Sequence, residues 1–190
     1  MKTLLIDNGT TLLEKLQKLI PGDESVVHFD SFDQEQAQKA DVVILSGSSR
    51  GQLIGNEAEF QKEIDFIRTT NKPIIGICFG YELIVHAFGG TLKELPEQEV
   101  GAVTITVLKD PELFYGKKEF ETFENHRWGT EKLPKDFEVL AESTHGHEVI
   151  RHNTRPIYGL QFHPENHTDT SFGDEVFLKI LERVVVAINL

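Results

Sequence analysis

Short apolar runs alternate with amphipathic stretches through the first half of the chain. Residues 2–7, 25–29, 41–45 and 73–78 read as strands, the third apolar almost throughout. Between the first two, residues 10–20 carry Leu12, Leu13, Leu16, Leu19 and Ile20 at helical spacing, and Pro21-Gly22 stops the run. Residues 33–39 form a short helical pattern. Residues 56–69 form a longer one, with Phe60, Ile64 and Ile67 facing inward and the acidic residues outward. Residues 81–88 predict a further helix. Continuous apolar strands between helices imply an α/β fold, a mostly parallel sheet with helices on both faces.

The second half changes character. Residues 91–95 and 102–108 read as strands, the latter alternating through Val103, Ile105 and Val107. Residues 121–128, 137–143 and 148–152 follow, separated by turn-forming Pro and Gly. Residues 157–162 are an apolar strand running into His163-Pro-Glu165, and residues 172–189 predict a closing helix. No repeat or linker divides the pattern, so residues 1–190 read as one domain. Ligands of open α/β sheets bind beyond the carboxyl ends of the strands. The loops expected there are residues 46–51, 78–80 and 163–166.

Composition narrows the function classes. Apolar residues at 39% and charged residues at 26% fit a soluble globular protein. The 19 Lys and Arg against 31 Asp and Glu give a net charge of −12, which argues against nucleic acid as a main ligand. A single cysteine builds no disulfide framework, and no apolar run approaches the roughly 18 residues that span a bilayer. A cytoplasmic protein without membrane association is expected.

The one cysteine is the first candidate for chemistry. Cys78 ends an apolar strand, Gly80 follows, and a helix begins. At such a corner the side chain is exposed, neighbouring N–H groups are free to hold an oxyanion, and the helix dipole favours thiolate. A lone cysteine without further context is better described as a small buried hydrophobe. The downstream segment Gln161-Phe-His-Pro-Glu165 decides between these. His163 offers a base for the thiol proton, and Glu165 can orient its ring. No metal is expected, because His145, His147, His152, His163 and His167 make no clear set of three or four ligands and Pro164 splits the last pair. Residues 46–51 lack the Gly-Lys-Ser/Thr ending of a phosphate loop, so no nucleotide cofactor is expected.

Gly76-Ile-Cys-Phe-Gly80 together with Gln161-Phe-His-Pro-Glu165 resembles the class I glutamine amidotransferase family. Ser46-Gly47, Ala87-Phe-Gly-Gly90 and Pro156-Ile-Tyr-Gly-Leu160 extend the likeness over nearly the whole chain. Within the family, the chain looks most like the separate glutaminase subunits of GMP synthetases, with Glu124-Asn-His126 in place of their Ser-His segment. The resemblance implies a flavodoxin-like sheet with a small antiparallel addition. It implies glutamine as substrate, Cys78, His163 and Glu165 as the triad, and Phe79 and Ser48 as oxyanion donors. Gly47, Gly80 and Glu82 are expected on the substrate side. No cofactor is implied, and the ammonia is expected to go to a separate ATP-dependent synthetase subunit.

Three positions depart from the family pattern. Ser46-Gly-Ser-Ser49 stands where Ser-Gly-Gly-Pro is usual, and Glu82 where Gln is usual. Glu82 suits either a contact to the substrate's α-ammonium or a tolerated change on a helix surface, and it also resembles the γ-glutamyl hydrolases. The altered loop leaves open a non-catalytic regulatory relative. Asn125-His-Arg-Trp128 is the third departure, with Trp128 read as core or as an interface anchor alongside Arg127.

Overall fold

The computed structural model describes residues 1–186. The chain runs β1 (Lys2–Asp7), α1 (Leu13–Leu19), β2 (Asp23–His28), α2 (Gln34–Gln38), β3 (Val42–Leu45), α3 (Gln61–Thr69), β4 (Ile74–Ile77), α4 (Phe79–Ala87), β5 (Thr91–Val107), β6 (Glu119–Lys132), β7 (Phe137–Glu142), β8 (His147–His152), β9 (Ile157–Leu160) and α5 (Gly173–Val186). The strands form one sheet in the order β2-β1-β3-β4-β9-β8-β7-β5-β6. Neighbours from β2 to β9 are parallel, and those from β9 to β6 antiparallel.

Alternation along β3 explains why both faces must be covered. Val43 and Leu45 join a core with Ile64 and Ile67 of α3 and Leu83 of α4. Val42 and Ile44 point the other way, to Leu16 of α1 and Val176, Phe177 and Ile180 of α5. All four β3 side chains are buried, each contributing about 1.5–3 kcal/mol through removal from water.

The strand that leads to His163 is the neighbour of the strand that leads to Cys78. β9 lies beside β4 in parallel register, Ile74 opposite Ile157 and Ile77 opposite Leu160. Some expectations are corrected. Residues 91–95 and 102–108 belong to one strand, β5, irregular between Glu94 and Glu99. Pro96 lies in that irregular stretch, where its missing N–H breaks no ladder bond. The segment from residue 56 starts as a 3-10 turn, Glu57–Phe60, before α3. Its acidic residues do not all face outward, since Glu63 is buried. The helix after the cysteine starts at Phe79, two residues earlier than expected. The closing helix is described to Val186, and residues 187–189 of that expectation lie outside the described residues.

Candidate active site

Cys78 sits between β4 and α4 with φ 50° and ψ −102°. A non-glycine residue there is strained by about 1–3 kcal/mol and persists only where its surroundings fix it. Its N–H donates to the Leu160 carbonyl at 2.8 Å, and its carbonyl accepts from Glu82 N–H at 3.0 Å. Two glycines let α4 lie directly on the sheet. A Cβ on Gly80 would stand 2.4 Å from the Leu45 carbonyl oxygen, and one on Gly76 2.4 Å from the Gly80 carbonyl oxygen. Gly80 is therefore placed against β3 and does not line the cavity beside the thiol.

β9 delivers the second element. His163 follows its end, and its N–H donates to the Phe123 carbonyl at 2.9 Å. The turn Pro164–Asn166 brings Glu165 back under the ring, with Oε1 2.9 Å from Nδ1. Both side chains are buried. With Nδ1 engaged, Nε2 is the ring nitrogen that remains for the thiol, and the two groups act on each other electrostatically. Burial pulls the imidazole down, but Cys78 and then Glu165 outweigh it and hold His163 well above the usual histidine range. The Cys78 side chain is buried, not exposed as the corner alone suggests, and burial pushes its thiol up against the opposing pull of His163. The ring's partners favour imidazolium, the state reached when the thiolate forms.

The loop after β3 closes the site from the other side. Ser46 Oγ accepts from Asn8 N–H at 2.9 Å, and Asn8 Nδ2 donates to the Ser46 carbonyl at 3.2 Å. Ser49 N–H donates to the Gly9 carbonyl at 3.0 Å, where the family's usual proline has no N–H to give. Gly47 packs on His163, whose Cε1 would lie 3.1 Å from an added Cβ. Ser48 and Phe79 line the cavity. Among the described residues, neither backbone N–H has an acceptor within the protein.

The cavity holds about 460 Å³, the size of a small-molecule site. Glu82 lines it and is buried, which removes the helix-surface reading; burial pushes its carboxyl up to about 8. The far wall is Gln98 of β5 and residues 125–128 of β6. The Asn125 carbonyl lies 3.9 Å from Cys78 Sγ, and Gln98 Nε2 donates to Asn125 Oδ1 at 2.8 Å. Asn125-His-Arg-Trp128 thus forms the cavity wall. Arg127 pairs with Glu94 at 2.9 Å, and Trp128 is half-buried against the core. Sequence reasoning missed Gln52 and Gln98 in the lining; neither lies in a motif. A larger cavity of about 650 Å³ lies at the opposite end of β4 and β9. Its Arg151 and Arg183 are already paired with Asp110, and it is remote from the carboxyl ends of the parallel strands.

A cysteine elbow backed by a histidine–carboxylate pair, on a mixed sheet of this order, defines an α/β protein of the amidotransferase type. The model of the family "Glutamine amidotransferase class-I" matches residues 4–182, and the chain belongs to that family. It is 31% identical over 188 residues to a subunit of the glutamine-hydrolyzing GMP synthase of Methanobrevibacter smithii, covering 96% of this chain and 95% of that protein. It is 40% identical over 148 residues to the glutamine-hydrolyzing GMP synthase of Thermosipho africanus, where the match spans only 27% of the longer protein. A crystal structure from Thermoplasma acidophilum, provisionally described as a GMP synthase subunit, superimposes with a TM-score of 0.87 at 26% identity, covering 100% of this chain and 96% of that one. A glutamine amidotransferase structure from Thermotoga maritima shares the fold, with a TM-score of 0.80 at 16% identity over 97% of this chain and 98% of that one. The flavodoxin-like α/β sheet is thereby established. No helix among the described residues is long and apolar enough to cross a membrane.

Proposed function

We propose that the chain hydrolyses the side-chain amide of L-glutamine and supplies the ammonia to a separate synthetase subunit. The observation that carries this reading is the strained Cys78 corner with the buried His163–Glu165 pair behind it. The Cys78 proton passes to His163, and the sulfur attacks the amide carbon. The N–H groups of Phe79 and Ser48 stabilise the oxyanion. Collapse breaks the C–N bond, His163 returns its proton to the nitrogen, and ammonia leaves a γ-glutamyl thioester on Cys78. Water, giving a proton to His163, attacks the thioester; glutamate departs and the thiol is restored. Glu165 holds the ring in one tautomer and stabilises its cationic form.

Glu82 faces the same cavity and is the one carboxylate lining it among the described residues. It gives up its proton when the substrate's α-ammonium arrives and pairs with that cation. The acceptor enzyme is an ATP-dependent synthetase of the GMP synthetase type. Support comes from the Methanobrevibacter smithii relative, which matches along nearly its full length and is named as one subunit of a GMP synthase.

The test is to label the thiol with a glutamine-like electrophile, with and without a candidate synthetase partner, and to locate the adduct by mass spectrometry. Attachment at Cys78, blocked by glutamine, is expected. Absence of labelling under both conditions overturns the assignment.

A further inference from the structure

Beside the cavity, the antiparallel arm carries a buried polar cluster that the amide chemistry does not use. β5 and β6 pair Glu99 with His126 and Gly101 with Glu124, so Glu99, Glu124 and His126 share one face of the ladder. The Glu124 side chain is fully buried, and those of His126 and Glu99 are 3% and 6% exposed. His126 Nδ1 lies 2.8 Å from the Trp128 carbonyl oxygen. A carbonyl only accepts, so Nδ1 carries the hydrogen, and in the neutral ring Nε2 presents a lone pair. That lone pair faces Glu124 Oε2 at 2.5 Å and Glu99 Oε2 at 3.4 Å.

Such an arrangement is repulsive without a positive centre among the three groups. Nε2 and all four carboxylate oxygens are buried without a hydrogen-bond donor placed on them among the described residues; Glu99 Oε1 has only its ion-pair contact with His145. Glu148 stands beside Glu124 and, being itself a carboxyl group, brings no cation to the cluster. The ligand atoms lie within 4.8 Å of one another, close enough to converge on one ion after small rotamer shifts. A ring nitrogen held by its other N–H on a backbone carbonyl is the usual posture of a metal-ligating histidine.

We infer that Glu99, Glu124 and His126 bind a divalent transition cation, with zinc the best fit. One imidazole with two carboxylates suits zinc and its neighbours better than calcium or magnesium, which take oxygen ligands. His145 stands at the rim, its side chain 47% exposed and its Nε2 2.9 Å from Glu99 Oε1, and it marks the entry path. Histidine spacing alone hides the set, because Glu99 comes from the neighbouring strand. The ion braces the strand that carries Asn125, Arg127 and Trp128, the far wall of the cavity.

The experiment titrates Zn²⁺ into the metal-stripped Cys78→Ser chain, which removes the competing thiolate, by calorimetry. Co²⁺ is added to a separate metal-stripped sample while the visible spectrum is recorded. One zinc per chain is expected, with cobalt d–d bands of nitrogen and oxygen ligation. Glu124→Gln and His126→Ala should each weaken zinc by at least about 100-fold, beyond the ~10–100-fold typical of partners one layer out. Glu99→Gln serves in the same way should His126→Ala not fold. Absence of stoichiometric binding, or unchanged affinity in Glu124→Gln and Glu99→Gln, overturns the inference. So does a rise in Tm for Glu124→Gln with no stabilisation of the parent by zinc, the behaviour of a cluster held by protons alone.

Discussion

His163 Nδ1 and Glu165 Oε1 stand 2.9 Å apart, although only Pro164 separates the two residues in the chain. The 3-10 turn folds the carboxylate back beneath the ring. Removing the Glu165 charge takes away one of the influences that raise His163. Glu165→Gln should therefore move the His163-controlled acid limb of glutaminase activity to lower pH and reduce kcat by about 10²–10⁴-fold. A pH profile of glutamate release checks both. An acid limb that stays in place would remove Glu165 from its assigned role.

Cys78→Ala deletes the only sulfur nucleophile. Glutamine hydrolysis should fall to background, by at least about 10³-fold, with the fold and any ammonia-independent association with a synthetase retained. Isotope-labelled glutamine gives the readout. Turnover surviving in this variant would move the nucleophile elsewhere.

Glu82 and Glu63 are both buried, and burial pushes each up to about 8 from the ordinary carboxylate value of 4.5. Between about pH 4.5 and 8 the folded state holds protons that the unfolded chain has released, so stability falls as pH rises through that window. Glu82→Gln removes one of these groups. Its Tm should exceed that of the parent at pH 8 by about 2–4 °C for each kcal/mol relieved, with little difference at pH 5. Scanning calorimetry at the two pH values checks this. Glutaminase turnover should be preserved or raised, since Gln is the family's usual residue.

Gly80→Ala drives a methyl into the Leu45 backbone, 2.4 Å from its carbonyl oxygen. Backbone cannot swing aside as a flexible side chain does, so α4 must lift from β3. A loss of about 1–3 kcal/mol is expected, with a fall in kcat larger than any change in KM, because Cys78 rides on the displaced helix. Denaturant melts and steady-state kinetics measure the two effects. Equal stability would mean that α4 is held elsewhere, for example by the 2.6 Å bond between Tyr81 and Thr130 hydroxyls.

The sequence made the parallel half legible because its signals are local. Apolar strands such as Val42–Leu45, stop signals such as Pro21-Gly22, and the Cys78–Gly80 corner all follow from neighbours in the chain. His163 and Glu165 were legible for the same reason. β5 reads as two strands, 91–95 and 102–108, because the stretch around Pro96 lacks strand alternation; only the partner strand β6 shows that pairing resumes beyond it. The buried carboxylates were the larger loss. Charged residues are ordinarily assigned to the surface, and nothing adjacent to Glu63, Glu99 or Glu124 marks them as interior. Their burial is a property of long-range packing, as is the meeting of Glu99 with His126.

The adjacency of β4 and β9 carries a consequence in time. The thiol strand leaves the ribosome well before the strand that bears its base, and the whole antiparallel arm is made in between. β9 lies between β4 and β8 in the sheet, and its contacts with β4 carry the entropy cost of a long loop closure. Until β9 pairs, Cys78 has neither His163, its proposed proton acceptor, nor the Leu160 carbonyl that fixes its backbone. On the proposed mechanism, a nascent or truncated chain without β9 is chemically silent and releases no ammonia.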